Sequence, residues 1–318
     1  MASAPDISFV IPVYNKADVL PAVVRALAAQ QPAPQAEYIF VDDASTDGSV
    51  ALLQGLATQL PGMTVMTNDR NAGPSIRLNQ GAAAARGRHL CLIDADELIA
   101  PDAVAVMLAL MERTGAQMVH GKIRDAERPA ADLTPAPVGG TPDFAVLDAP
   151  LADILAGRGF VRMSWLVETS VFHAAGGCDP RIFIQDESLP LRLAAAARRM
   201  VDLRATTGYA PAAASRLSTD KVQQHHDRFF AAYNLLRDRP DLPAGIRAAL
   251  RRRCLSAAWK ALRAGLLGDV RLGILLGYAG AKAGLAPPSD ATLARIAIAF
   301  TALDGVRRVP VPSEKAIA

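Results

Sequence analysis

The chain has 318 residues, of which 51% are apolar, 20% charged and 5% aromatic, and its formal net charge is +3. At about 100–200 residues per domain, this fits one large domain or two modest ones, with a core that needs no disulfide or metal. So much apolar content at so little net charge excludes global disorder, and the balanced charge disfavours a dedicated nucleic-acid binder.

The three cysteines, Cys91, Cys178 and Cys254, are far apart. They form neither a disulfide framework nor a zinc motif, and they fit a reducing compartment. The first residues lack the basic and apolar regions of a signal peptide. The nearest candidate for a membrane span, Leu272 to Ala281, is too short to cross a bilayer. A cytoplasmic protein is expected.

In chain order, Ile7 to Val13 is an apolar, β-branched run that predicts a strand covered on both faces. Apolar residues at helical spacing follow from Val19 to Gln30. A second strand is expected at Tyr38 to Val41, ending in Asp42-Asp43, with cap and turn chemistry at 45–49 and a helix at 49–60. Thr64 to Met66 reads as a third strand, Asn68 to Pro74 as a Gly-containing loop, and 75–86 as an alanine-rich helix. His89 to Ile93 is a fourth strand, closing in Asp94-Ala95-Asp96-Glu97, and Pro101 opens the next helix. Residues 126–150 look like a surface insertion. Leu166-Val167 reads as a short strand, 188–199 as a helix, and the chain from Lys221 to Phe300 as mostly helical.

This alternation predicts an α/β fold with a mostly parallel sheet and helices on both faces. Ligands in such sheets bind at the carboxyl ends of the strands. Asn15, Asp42, Asp43, Asp94 and Asp96 all fall just past a predicted strand end. Asp94 and Asp96 can both reach one point, and their oxygens suit a hard cation such as Mg2+ or Mn2+. The plain alternative is helix capping. An acid such as Asp42 or Asp43 can accept from a base N–H or a ribose hydroxyl.

The order Ile11-Pro12-Val13-Tyr14-Asn15, Val41-Asp42-Asp43-Ala44-Ser45-Thr46-Asp47-Gly48-Ser49, Asn71-Ala72-Gly73, Asn79-Gln80-Gly81 and Asp94-Ala95-Asp96 resembles inverting glycosyltransferase family 2. The resemblance covers residues 6–125 strongly and 160–220 more loosely. It implies a GT-A fold: a mostly parallel, Rossmann-like sheet flanked by helices. Here it would occupy residues 1–222, with a helical C-terminal extension over 223–305 and a tail over 306–318. It also implies a nucleotide-diphospho-sugar donor, usually a UDP-sugar, and a divalent metal, Mn2+ or Mg2+. Pro12 and Asn15 match the strand that borders the nucleotide. Asp43 matches a base-contacting carboxylate, with Asp42 beside it. Asn71 and Gly73 match the loop that runs past the donor, followed by Arg77 and Asn79. Asp94 and Asp96 match the metal-binding DXD motif, with Asp94 also on the donor side.

Inversion needs a base for the acceptor hydroxyl. Phe183 to Leu193 resembles the family's Glu-Asp segment, which implies Asp186 as base and Glu187 as fallback; Gln185 stands where a glutamate is usual. Near Trp165 the family often carries an acceptor-side aromatic; a tryptophan can stack on a sugar or simply anchor the core. The family's histidine near 209–218 is replaced by alanines, so Arg216, His225 and His226 come into question as diphosphate or metal ligands. Residues 247–282 carry eight basic residues and one acid interleaved with leucines. They could meet an anionic membrane surface or pack on the catalytic domain.

The reading is an inverting, metal-dependent enzyme. It moves a sugar to a glycan or glycolipid hydroxyl in cell-surface polysaccharide synthesis, at the inner face of the membrane. A catalytically weak nucleotide-sugar-binding homologue and a nucleotidyltransferase are the alternatives.

Overall fold

A computed structural model describes residues 5–157, 165–212, 220–283 and 287–308. The chain forms two compact units. The first comprises Met1–Pro150, Phe160–Cys178 and Leu193–Ala214; the second comprises Leu151–Gly159, Asp179–Arg192 and Ser215–Ala318.

The first unit begins with β1 (Ile7–Val13), α1 (Leu20–Ala28), β2 (Ala36–Asp42), α2 (Ser49–Leu56), β3 (Met63–Met66), α3 (Pro74–Ala84) and β4 (His89–Leu92). The strands were legible as short apolar runs, α1 by its helical period, α2 by the cap and turn residues before it, and α3 by its alanine content. β3, β2, β1 and β4 lie side by side, all parallel. All seven residues of β1 are buried, because helices cover both faces of the sheet. Ile7, Phe9, Ile11 and Val13 join a core with Leu20, Val23, Val24 and Leu27 of α1. On the other face α3 packs on β1 and β2. A Cβ at Gly81 would stand 2.4 Å from Val10 Cγ1, so glycine there allows the close approach.

Beyond β4 the sheet turns mixed. The chain continues through β5 (Leu98–Ile99), α4 (Ala103–Thr114), β6 (Met118–Asp125), β7 (Phe144–Leu147), α5 (Pro150–Leu155), β8 (Trp165–Glu168), α6 (Thr169–Ala174), α7 (Gln185–Ala196) and β9 (Met200–Ala210). β8 runs antiparallel between β4 and β6, β9 lies parallel to β6, and β5 and β7 pair antiparallel with β9. The parallel expectation thus describes the first four strands. The sheet has nine strands among the described residues. β7 lies inside the span read as a surface insertion; four residues with half-exposed faces give too short a period-2 signal.

The second unit holds the first part of α7 and the helices α8 (Lys221–Asp238), α9 (Ala244–Arg263), α10 (Arg271–Lys282) and α11 (Asp290–Thr301). Phe229 of α8 and Phe300 of α11 are fully buried and stacked at 4.6 Å. The 183–192 segment belongs to this unit, together with the helices that follow it. No helix among the described residues is long and apolar enough to cross a membrane. All three cysteines are free and buried.

Candidate active site

The carboxyl ends of β1 and β2 are joined by reciprocal hydrogen bonds. Asn15 Oδ1 accepts from Thr46 N at 2.8 Å, and Asn15 N donates to Ser45 Oγ at 2.9 Å. Asp47 Oδ2 accepts from Ala17 N at 2.9 Å, and Ser49 Oγ accepts from Lys16 N at 3.0 Å. Partial burial pushes the Asp47 carboxyl up. Bonds from Ser49 Oγ and from the Ala17 and Ser49 N–H groups outweigh it, so its pKa lies below the ordinary value. Asn15 and Ala44 both have positive φ, 51° and 64°. Asparagine tolerates that region; alanine rarely does. The expected nucleotide-side residue Pro12 is buried in β1, level with Val41.

Asp43 organises the next loop. Its Oδ1 accepts from Ala72 N at 2.8 Å and from Arg77 Nε at 2.6 Å, and its Oδ2 accepts from Gly73 N at 2.8 Å. Asn71 Nδ2 donates to the Asp43 carbonyl at 3.4 Å. Arg77 also reaches Gln80 Oε1 and the Arg70 carbonyl, at 2.9 and 2.6 Å. Asp43 and Arg77 are both buried, so this pair fixes the 70–77 loop rather than reaching into solvent. Asp42 is buried beside it; Oδ2 accepts from Ser45 N at 3.0 Å, while Oδ1 has no partner among the described residues. Asn79 accepts from Cys178 N and donates to its carbonyl, at 2.8 and 2.9 Å. It holds a turn in which Gly177 has φ +63° and no room for a Cβ.

Asp94 and Asp96 follow β4 and are half-buried. Lys16 Nζ donates to Asp96 Oδ2 at 2.5 Å. An ammonium already seated on this carboxylate indicates a place suited to positive charge. Among the described residues no group of three or more His, Cys, Asp or Glu gathers at one point. Two hard carboxylates still fit Mg2+ or Mn2+ of the kind completed by water and substrate phosphates.

Asp186 lies in the second unit, in the first turn of α7. Its neighbours are held by α8. Asp227 Oδ2 accepts from Ile184 N at 2.8 Å, and Arg228 forks onto Glu187 at 2.7 and 3.2 Å. Glu187 is therefore engaged as an ion-pair partner. His226 is buried, with Nδ1 2.8 Å from Asp227 Oδ1, and packs on Phe230. That makes it a structural histidine rather than an exposed ligand. Arg216 lies outside the described residues.

Trp165 is fully buried in β8 and packs on His120 at 4.6 Å. Of its two readings, the core anchor holds; a side chain with no exposed surface does not stack on a sugar.

Lys16 and Asp227 were missed in the sequence. Lys16 is adjacent to Asn15, but a lysine in a polar loop reads as solvated. Asp227 sits in a polar helix with no signal that its face is buried.

The glycosyl transferase family 2 profile matches residues 8–149. The succinoglycan biosynthesis protein ExoO of Rhizobium meliloti is 34% identical over 114 residues, which are 36% of this chain and 32% of that protein. The chain spans about a third of the length of the first curated relatives it matches. The crystal structure of S. aureus TarS 1–349 in complex with UDP-GlcNAc aligns with a TM-score of 0.63 at 16% identity, covering 79% of this chain and 71% of that one. The mannosyltransferase PcManGT of Pyrobaculum calidifontis, in complex with GDP-Man and Mn2+, aligns at 0.54 and 18% identity, covering 94% and 86%. The architecture is the GT-A fold of these neighbours, and residues 8–149 match the glycosyl transferase family 2 model.

Proposed function

We propose that the chain is an inverting, metal-dependent glycosyltransferase. It transfers a sugar from a nucleotide-diphosphate donor, a UDP-sugar, to a hydroxyl of a glycan or glycolipid. Its setting is cytoplasmic polysaccharide synthesis at the inner face of the membrane. The observation that carries this reading is the convergence of Asn15, the Asp43–Arg77 clamp and the Asp94/Asp96 pair on the carboxyl ends of β1, β2 and β4. The neighbours' complexes with UDP-GlcNAc and with GDP-Man and Mn2+ support it.

Each residue then has a task. Asn15 and Ser45 hold two strand ends together and shape the floor for the nucleoside. Asp43 keeps Ala72, Gly73 and Arg77 in place, so the 71–77 loop borders the donor without reordering on binding. Asp94 and Asp96 would supply oxygens for a divalent cation, with Lys16 giving up Asp96 to it. Such a cation would offset negative charge growing on the leaving diphosphate. Asp186 takes the proton from the acceptor hydroxyl as that oxygen attacks the anomeric carbon from the face opposite the diphosphate.

A thermal-shift screen of nucleotide sugars with and without Mn2+ tests donor binding, because a ligand that binds only the folded state raises the Tm. One nucleotide sugar is expected to stabilise the protein, more strongly with Mn2+. Asp96→Ala should remove the Mn2+ dependence, and Asp186→Asn should abolish transfer with donor binding intact. Stabilisation by none of the nucleotide sugars overturns the assignment.

A further inference from the structure

Helical spacing puts Lys221, His225 and Arg228 on one face of α8, at i, i+4 and i+7, and Arg253 and Lys260 on one face of α9. The two helices pack as an antiparallel pair, with Arg247 Nη1 donating to the Leu236 carbonyl at 3.0 Å. Their basic faces meet. Arg228 acts electrostatically on Arg253, and Lys260 on His225. The acid facing them is Glu187, and Arg228 already takes both of its oxygens. Arg253 Nε is buried with no partner among the described residues, and so is His225 Nδ1.

Such an arrangement is costly as it stands. A buried guanidinium nitrogen without an acceptor loses its hydration and regains nothing. Like charges on two packed helices also repel. Burial, and then Arg228, Lys260 and Lys221, keep His225 below its ordinary pKa, so its neutral ring still has an N–H to offer. The open Nε of Arg253 and an imidazole N–H, beside the charge of Arg228, suit the several oxygens of a tetrahedral anion.

We propose that His225, Arg228 and Arg253 form a seat for one phosphate group, brought by the acceptor as a phosphate ester, with Lys221 and Lys260 strengthening the field at its rim. The acceptor assignment rests on the reading of Asp186 as base, since Glu187 follows Asp186 directly. The phosphate could belong to a soluble glycan or to a lipid head group; the chemistry of the seat is the same.

Glycerol 1-phosphate is the probe, titrated into the full chain at fixed ionic strength and followed by thermal shift and calorimetry. Wild type should bind and gain Tm. Arg253→Met should weaken binding at least 10-fold, yet melt higher than wild type without ligand, because an unsatisfied buried cation has gone. Arg252→Gln, on the exposed side of α9, should bind like wild type. No binding by wild type, equal binding by Arg253→Met, or a lower unliganded Tm in that variant overturns the seat. Vesicles of phosphatidylglycerol in phosphatidylcholine separate the sources. Vesicle binding lost in Arg253→Met assigns the seat to a lipid phosphate; no vesicle binding, or vesicle binding that the substitution leaves unchanged, overturns the lipid source and leaves the soluble one to the glycerol 1-phosphate titration. Asp186→Asn should keep the probe. If it also keeps full transfer activity, the base reading fails while the phosphate seat stands.

Discussion

Lys16 Nζ lies 2.5 Å from Asp96 Oδ2, and both side chains are about one-quarter exposed. An ion pair this accessible contributes about 0.2–1 kcal/mol. On the proposed metal role of Asp94 and Asp96, a metal arriving at Asp96 must displace the ammonium and give up that energy. Lys16→Met should therefore bind Mn2+ more tightly, by up to about 5-fold. Mn2+ paramagnetic resonance on the donor-free protein measures this. Unchanged or weaker Mn2+ binding would show that Lys16 does not compete for the site.

Asp43 and Arg77 form a different kind of pair, with side chains only 4% and 8% exposed. Asp43→Ala strips acceptors from Ala72 N, Gly73 N and Arg77 Nε together. Breaking a buried, hydrogen-bonded pair from one side costs about 3–5 kcal/mol, because the remaining charge stays buried alone. Denaturant melts of Asp43→Ala, Arg77→Ala and the double variant test this. The double variant should lose much less than the sum of the singles. Strict additivity would mean the two side chains act independently.

Ala44 holds φ at +64° between Asp43 and Ser45. A Cβ in the left-handed region costs about 1–2 kcal/mol, while glycine adds about 0.4–1 kcal/mol of unfolded-state entropy. Ala44→Gly should leave a small net gain and raise the Tm by a few degrees. A fall in Tm would show that the alanine is held there without strain.

These residues also mark where the sequence was readable. β1, β2 and β4 were legible because burial on both faces makes continuous apolar runs, and the acids after β2 and β4 stand out against those runs. β6 and β9 were not, since Lys122, Arg124 and Arg204 interrupt their apolar pattern at exposed positions. Asp43 was legible as an acid at a strand end. Its three internal donors were not, because they arrive from a loop about 30 residues away and from the next helix. Asp227 was hidden for a related reason: α8 is polar in composition, and only its packing shows which polar groups face inward.

Asp227 is fully buried and accepts from Ile184 N, Gln223 Nε2 and His226 Nδ1, at 2.8, 2.9 and 2.8 Å. It anchors the turn that enters α7, two residues before Asp186. Asp227→Asn replaces one accepting oxygen with a donor and loosens that turn. If Asp186 is the base, as proposed, this variant of a positioning residue should lower kcat about 10–100-fold and leave the donor KM near wild type, because small misplacements of a reacting group are costly. Steady-state kinetics with donor and acceptor varied separately separates the two effects. A donor KM that rises while kcat is preserved would reassign Asp227 to the donor side.

Asp179 gives the second unit a sensitivity to acid. Burial alone would raise its pKa. Arg181 outweighs this through its Nε, Nη2 and backbone N–H, and Asn234 Nδ2 adds a fourth bond, at 2.8, 2.8, 3.0 and 2.9 Å. The result is a native pKa below the ordinary 3.8. A depressed native pKa means the folded protein binds the proton less readily than the unfolded chain. Its stabilisation is complete above the ordinary carboxylate range and drains away as pH falls through the native value. Glu37 follows the same rule in the first unit. Burial raises it, but Ser8 and Arg86 bring it below the ordinary 4.5. Melting temperature should thus be flat with respect to these groups above about pH 5 and fall steadily below about pH 4. Asp179→Asn should melt lower at pH 7 and show a shallower fall in acid, since the variant has no proton to take up at that position. Parallel slopes for variant and wild type would place the acid sensitivity in other carboxylates.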